Sequence, residues 1–100
     1  MNPKIKDEHT DRLVKAILSL KTEEECYNFF DDISTVTEFI GMSRRLYAAK
    51  LLRENVNYNE ICQKSGLSSA TVSRVSRALR YGPDGYKTAL DRLDGEEKNS

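Results

Sequence analysis

Apolar residues recur at helical spacing along most of the chain, and the strict alternation expected of strands is nearly absent. In "DRLVKAILSL", Leu13, Ile17 and Leu20 share one stripe, flanked by Val14 and Ala16. Thr22 opens a second helix: its hydroxyl can accept from the amide three residues on while Glu25 reaches back. That helix turns Cys26, Phe29, Phe30 and Ile33 inward. Thr35 and Glu38 repeat the device and start a third helix running to about Arg53, with Phe39, Met42, Leu46, Ala49 and Leu52 as its core positions. Asn55 suits the left-handed residue that ends it. A short helix follows from Asn57 to Lys64, Gly66 breaks the chain, and Ser68 or Ser69 caps a helix to Tyr81. "YGPDG" is a turn, and a last helix covers Asp84 to Leu93 with Tyr86, Ala89, Leu90 and Leu93. The pattern predicts an all-α fold. It predicts one helical domain over residues 1–93 and a disordered acidic tail over 94–100, and it places His9 in a disordered N-terminal arm.

Size and composition agree with that organisation. The chain has 100 residues, room for one domain, with 38% hydrophobic residues, 32% charged residues, five glycines and two prolines. No apolar run approaches the roughly 20 residues of a membrane span, and "MNPKIKDEHTDR" has no apolar signal core. A cytoplasmic protein with no membrane association is the expectation. Cys26 and Cys62 lie inside helical patterns, where a reduced cysteine packs as a small apolar residue.

The formal net charge is zero, but the charges are sorted by position. Residues 22–32 contain Glu23, Glu24, Glu25, Asp31 and Asp32 and no base. Residues 42–53 contain Arg44, Arg45, Lys50 and Arg53 and no acid. Residues 57–81 set Lys64, Arg74, Arg77 and Arg80 against Glu60 alone. Such sorting points to an anionic partner for one face.

Residues 58–81 meet the requirements of a helix-turn-helix. Gly66 supplies the left-handed turn residue, Cys62 is small enough for a close helix crossing, and Ile61, Leu67, Val72 and Val75 fill the contact positions. With Val72, Val75 and Leu79 inward, the second helix leaves its serines and arginines for solvent or for a DNA groove. A recognition helix enters a major groove about 12 Å wide, N-terminal residues first. Ser69, Ala70, Ser73, Arg74 and Arg77 are the candidate base readers; Lys64, Ser68, Thr71 and Arg80 are the candidate phosphate contacts. The bland alternative is an ordinary helical hairpin with solvated charges. The absence of any acid between Gly66 and Pro83 argues against it.

The stretch "EICQKSGLSSATVSRVSRALRYGP" resembles, without a gap, the helix-turn-helix of the Trp repressor superfamily, with Glu60, Gly66, Ala70, Thr71, Arg74, Ser76, Leu79 and Pro83 at matching positions. "EECYNFFDDISTVTEF", "RRLYAAKLLRENVNY" and "YGPDGYKTALDRL" resemble the YerC/YecD subfamily, so the likeness spans residues 19–93. The resemblance implies six helices, DNA binding, and an intertwined homodimer built by helices within residues 10–53. A supply of apolar residues at Phe29, Phe30, Ile33, Phe39 and Ile40 supports the dimer independently; a compact monomer is the alternative. A twofold dimer would set two recognition helices about 34 Å apart. In the Trp repressor the co-repressor lies between two arginines beside a threonine. Thr35, Arg45 and Arg74 match those positions if one residue is missing before Tyr58, and so form a candidate ligand cleft. The glycine and serine that serve the ligand there are Val75 and Ala78 here, so no tryptophan cofactor is expected.

No enzyme is expected. His9 is the sole histidine, which leaves neither a metal site nor a Cys/His pair, and no glycine-rich phosphate loop is present. The expected function is a sequence-specific transcriptional regulator, a repressor on a partly palindromic operator. The alternative from another class is a small helical dimer that binds a protein partner, using the acidic helix at 22–32.

Overall fold

Most of the helices begin where a side-chain oxygen accepts a backbone amide of the first turn. In the computed structural model, which describes residues 3–99, a short 3-10 turn at Pro3–Ile5 precedes six α-helices, with no strand among the described residues: α1 Glu8–Ser19, α2 Glu23–Ile33, α3 Val36–Arg53, α4 Tyr58–Ser65, α5 Ser69–Tyr81 and α6 Gly85–Asn99. Thr22 caps α2 by accepting from the Glu25 amide at 3.1 Å, while Glu25 accepts from the amide of Lys21, one residue earlier than a standard box. Thr35 and Glu38 make the full reciprocal pair at 3.1 and 2.9 Å. The Thr35 amide holds the Glu38 carboxyl below its ordinary pKa. Asn57 and Ser68 cap α4 and α5 through the amides of Glu60 and Thr71. Asn55, at φ 61, and Gly66, at φ 73, take the left-handed positions expected of them.

The chain packs as two compact units, residues 1–39 and 40–100. In the first, Phe30 lies 5.3 Å from Phe39 by ring centroids, with Tyr27 edge-on to Phe39 at 6.1 Å. Neither α1 nor α2 buries a residue. In the second, Ala48, Ala49, Leu51, Ile61, Val72, Val75 and Leu90 form one buried cluster, edged by Leu46, Leu52, Val56, Cys62, Leu67 and Tyr86. α5 packs against both α4 and α6. Arg53 of α3 pairs with Asp91 of α6 at 2.8 Å and approaches Asp94 at 3.7 Å. Hydrogen bonds from Lys87 and then Arg53 hold the Asp91 carboxyl below its ordinary value.

Several sequence expectations are corrected. The tail expected to be disordered from Asp94 is helical through Asn99, because α6 continues past Leu93 and Arg53 engages Asp94; Ser100, like Met1 and Asn2, lies outside the described residues. His9 sits in the first turn of α1, not in a loose arm: Asp7 accepts from the Thr10 amide and Thr10 accepts from the Asp7 amide, which starts the helix there. Ile33, Met42, Ala89 and Leu93 are exposed, while Ala48 and Leu51 are the buried residues of α3 that the pattern did not single out. Cys26 and Cys62 are unpaired and half-buried. No helix among the described residues is long and apolar enough to cross a membrane.

Candidate nucleic-acid interface

The turn between α4 and α5 is held by hydroxyls. The buried Ser65 donates to the Ile61 carbonyl at 2.6 Å and accepts from the Leu67 amide at 3.2 Å. Gly66 turns left-handed and gives its amide to the Cys62 carbonyl at 3.0 Å. Leu67 then drops onto the core, and Ser68 caps α5. Val72 and Val75 form the inner side of α5 and share one buried cluster with the fully buried Ile61 of α4. Burial of such side chains contributes about 1.5–3 kcal/mol each, which fixes which side of α5 faces out.

That outer side gathers most of the residues singled out from sequence. Ser69, Ala70, Ser73, Arg74, Arg77 and Arg80 are all exposed on α5. At about 100° per residue, Ala70, Arg74 and Arg77 form one stripe opposite Val72, Val75 and Leu79, with Ser73 and Arg80 on its flank. Among the described residues, no carboxylate pairs with Arg74, Arg77 or Arg80. The first turn of α5 contains no acid, so the positive end of its dipole is uncompensated.

Three of the candidates are partly engaged. Lys64 pairs with Glu60 one turn back on α4 at 3.2 Å, an exposed pair of a kind that contributes only about 0–1 kcal/mol. A phosphate could displace that partner. Ser68 accepts from the Thr71 amide at 3.1 Å and donates its own hydroxyl to Thr71 Oγ1 at 3.0 Å.

The structure adds Arg44, whose one mark in the sequence is its place in the basic stretch 42–53. Its Nη1 and Cζ atoms lie 3.5 and 3.8 Å from where a Cβ on Gly66 would stand. The guanidinium of α3 therefore rests over the turn that leads into α5. No local periodicity relates Arg44 to Gly66; the charge asymmetry of residues 42–53 was the sole available signal.

A cleft of about 370 Å³ opens behind α5, lined by Arg45, Thr71, Arg74, Val75, Ala78 and Tyr86. It unites two of the three residues expected at a ligand cleft, Arg45 and Arg74. Thr35 caps α3, and the threonine that lines the cleft is Thr71. Val75, 2% exposed, is packed into the core beside it. The lining carries two guanidiniums and no carboxylate, so the cleft is electropositive. Among the described residues no three His, Cys, Asp or Glu side chains gather as metal ligands.

Comparison with known proteins shows similarity of family and fold. The Trp repressor protein family matches residues 8–94. The chain is 46% identical over 97 residues to the uncharacterized protein YerC of Bacillus subtilis strain 168, covering 97% of this chain and 93% of that one. It is 36% identical over 81 residues to the Trp operon repressor homolog of Chlamydia caviae, covering 80% of each. Its fold matches the crystal structure of a TrpR like protein from Eubacterium eligens with a TM-score of 0.89 at 46% identity, covering 93% of this chain and 96% of the other.

Proposed function

The chain belongs to the Trp repressor family, whose members are DNA-binding regulators, and from that premise we propose that it is a sequence-specific transcriptional repressor acting in the cytoplasm. The observation that carries this reading is the outer face of α5. It is a helix whose exposed side has small residues at its N-terminal end, then Arg74 and Arg77, and no acid. Small residues let the backbone approach base edges, and arginines pair with guanine or phosphate. Ser69, Ala70, Ser73, Arg74 and Arg77 read bases; Lys64, Ser68, Thr71 and Arg80 hold phosphates, with Arg44 beside them over the turn.

The protein works as a homodimer on a partly palindromic operator. Support comes from the first unit, where Leu13, Val14, Ile17 and Leu18 of α1 and Tyr27 and Ile33 of α2 stay exposed, Leu18 at 77%. An apolar surface of this extent is not expected to stay wet, and a second copy would cover it. The resulting twofold axis would place two copies of α5 about 34 Å apart, one turn of B-DNA.

Tryptophan is not its co-repressor. The branched Val75 occupies core space beside the cleft, and Ala78 offers no hydroxyl to a ligand. Titration calorimetry with L-tryptophan tests this, and micromolar binding would overturn it.

The DNA reading is tested by fluorescence anisotropy on duplex DNA across a salt series. Affinity should fall steeply as salt rises, and Arg74→Ala/Arg77→Ala should abolish retention on heparin. Indifference to salt, and heparin behaviour unchanged in the double variant, would favour instead a helical dimer that binds a protein partner.

A further inference from the structure

The most exposed large hydrophobic or aromatic side chain among the described residues belongs to the last residue of α5: Tyr81 is 82% exposed. Isolated exposed apolar residues are ordinary, but the position of this one is not arbitrary. At about 100° per residue, Tyr81 falls on the same stripe as Ala70, Arg74 and Arg77, opposite the buried Val72 and Val75. It therefore extends the basic face of α5 by one more turn. No hydrogen bond, ion pair or ring contact ties it to another described residue.

The chain after Tyr81 keeps it uncovered. Gly82 gives its amide to the Ala78 carbonyl at 2.9 Å, and a Cβ there would lie 2.4 Å from that oxygen. Only glycine permits the chain to leave α5 so sharply. Asp84 then takes φ 63 and starts α6, which packs back on α5. The phenol stands clear at the helix end.

We propose that Tyr81 is a further DNA contact, its phenolic hydroxyl donating to a backbone phosphate at the far edge of the groove that α5 enters. This rests on the DNA-binding reading above. The distances fit: Tyr81 stands about 16 Å along the helix from Ala70 at about 1.5 Å per residue, and the major groove is about 12 Å wide. A residue that far from the base-reading end has left the base edges and reached the sugar-phosphate wall. A phenol serves well there, because its ring packs on deoxyribose while its hydroxyl donates to a phosphate oxygen. The contact carries no charge and so releases no counterion.

That last property makes the test specific. Binding of the full chain to a mixed-sequence duplex is measured by anisotropy over a salt series. Tyr81→Phe should weaken binding about tenfold and leave the slope of log affinity against log salt unchanged. Tyr81→Lys should restore affinity at low salt and steepen that slope by about one. Circular dichroism melts should be unchanged for both, since the side chain is exposed. If Tyr81→Phe binds as tightly as the parent chain, the proposal is overturned, including the case where Tyr81→Ala alone is weak, which would mean the ring packs without a hydroxyl contact. If the parent chain itself binds no duplex, the DNA reading has failed and this contact falls with it.

Discussion

Gly82→Ala should be among the most disruptive single-methyl changes within residues 40–100. The added Cβ would lie 2.4 Å from the Ala78 carbonyl oxygen, 3.2 Å from its carbon and 3.3 Å from its Cα, all backbone atoms that no rotamer change can move. Overpacking of this kind costs about 1–3 kcal/mol. Relief by moving the chain breaks the Gly82 to Ala78 hydrogen bond, a further loss of about 1 kcal/mol. Reduced freedom in the unfolded chain returns about 0.4–1 kcal/mol. The net is about 1–3 kcal/mol, or about 4–8 °C in Tm per kcal/mol for a domain of this size. Gly66 is the control with the opposite cause. At φ 73 it is strained by any side chain, but its nearest neighbour is the movable Arg44 guanidinium at 3.5 Å. Gly66→Ala should cost about 1–2 kcal/mol, and Gly66→Asn less, because asparagine tolerates the left-handed region. Gly82→Asn should be no better than Gly82→Ala, since space and not φ is limiting there. Thermal melts followed by circular dichroism at one matched protein concentration read all four variants. A Gly82→Ala protein melting within about 2 °C of the parent would refute the steric argument.

Ile61→Ala removes a fully buried side chain from the contact between α4 and α5 and should cost about 2–5 kcal/mol in urea unfolding; a loss under about 1 kcal/mol would mean that the cavity collapses freely. Arg74→Ala should cost about 1–3 kcal/mol on the specific operator if it reads a base, whereas equal losses on specific and random DNA would make it a phosphate contact. Ser68→Ala removes the cap of α5 and should cost about 1 kcal/mol, with unchanged stability refuting the cap's weight. The carboxyls of Asp7, Glu38 and Asp91 are held below their ordinary values in the folded chain. Their contribution is therefore present above the usual carboxylate range and is lost as pH falls through their folded-state values. Tm should decline on that acid limb, and Glu38→Gln should flatten the decline; a slope identical to the parent's would remove Glu38 from the cause.

What could be read along the chain was whatever depends on near neighbours. The caps at Thr22, Thr35 and Ser68 each bond an amide three residues away, so residue type and spacing suffice to find them. The left-handed positions at Asn55 and Gly66 follow from intrinsic preference. The two faces of α5 follow from helical periodicity, and with them the candidate residues Ser69, Ala70, Ser73, Arg74 and Arg77. Packing partners far apart in the chain left no such trace. Periodicity favoured Met42 and Ala49 on α3; Ala49 is buried, but Met42 is exposed and Ala48 and Leu51 are buried as well, because burial depends on what packs on α3 and not on α3 alone. The continuation of α6 past Leu93 is accompanied by the reach of Arg53 to Asp94, forty-one residues apart in number but 3.7 Å in space. The placement of Arg44 over Gly66, and of Arg45 beside Arg74 around one cleft, is of the same kind. Such contacts join residues whose separation in sequence carries no information, and they exist only once the helices have packed.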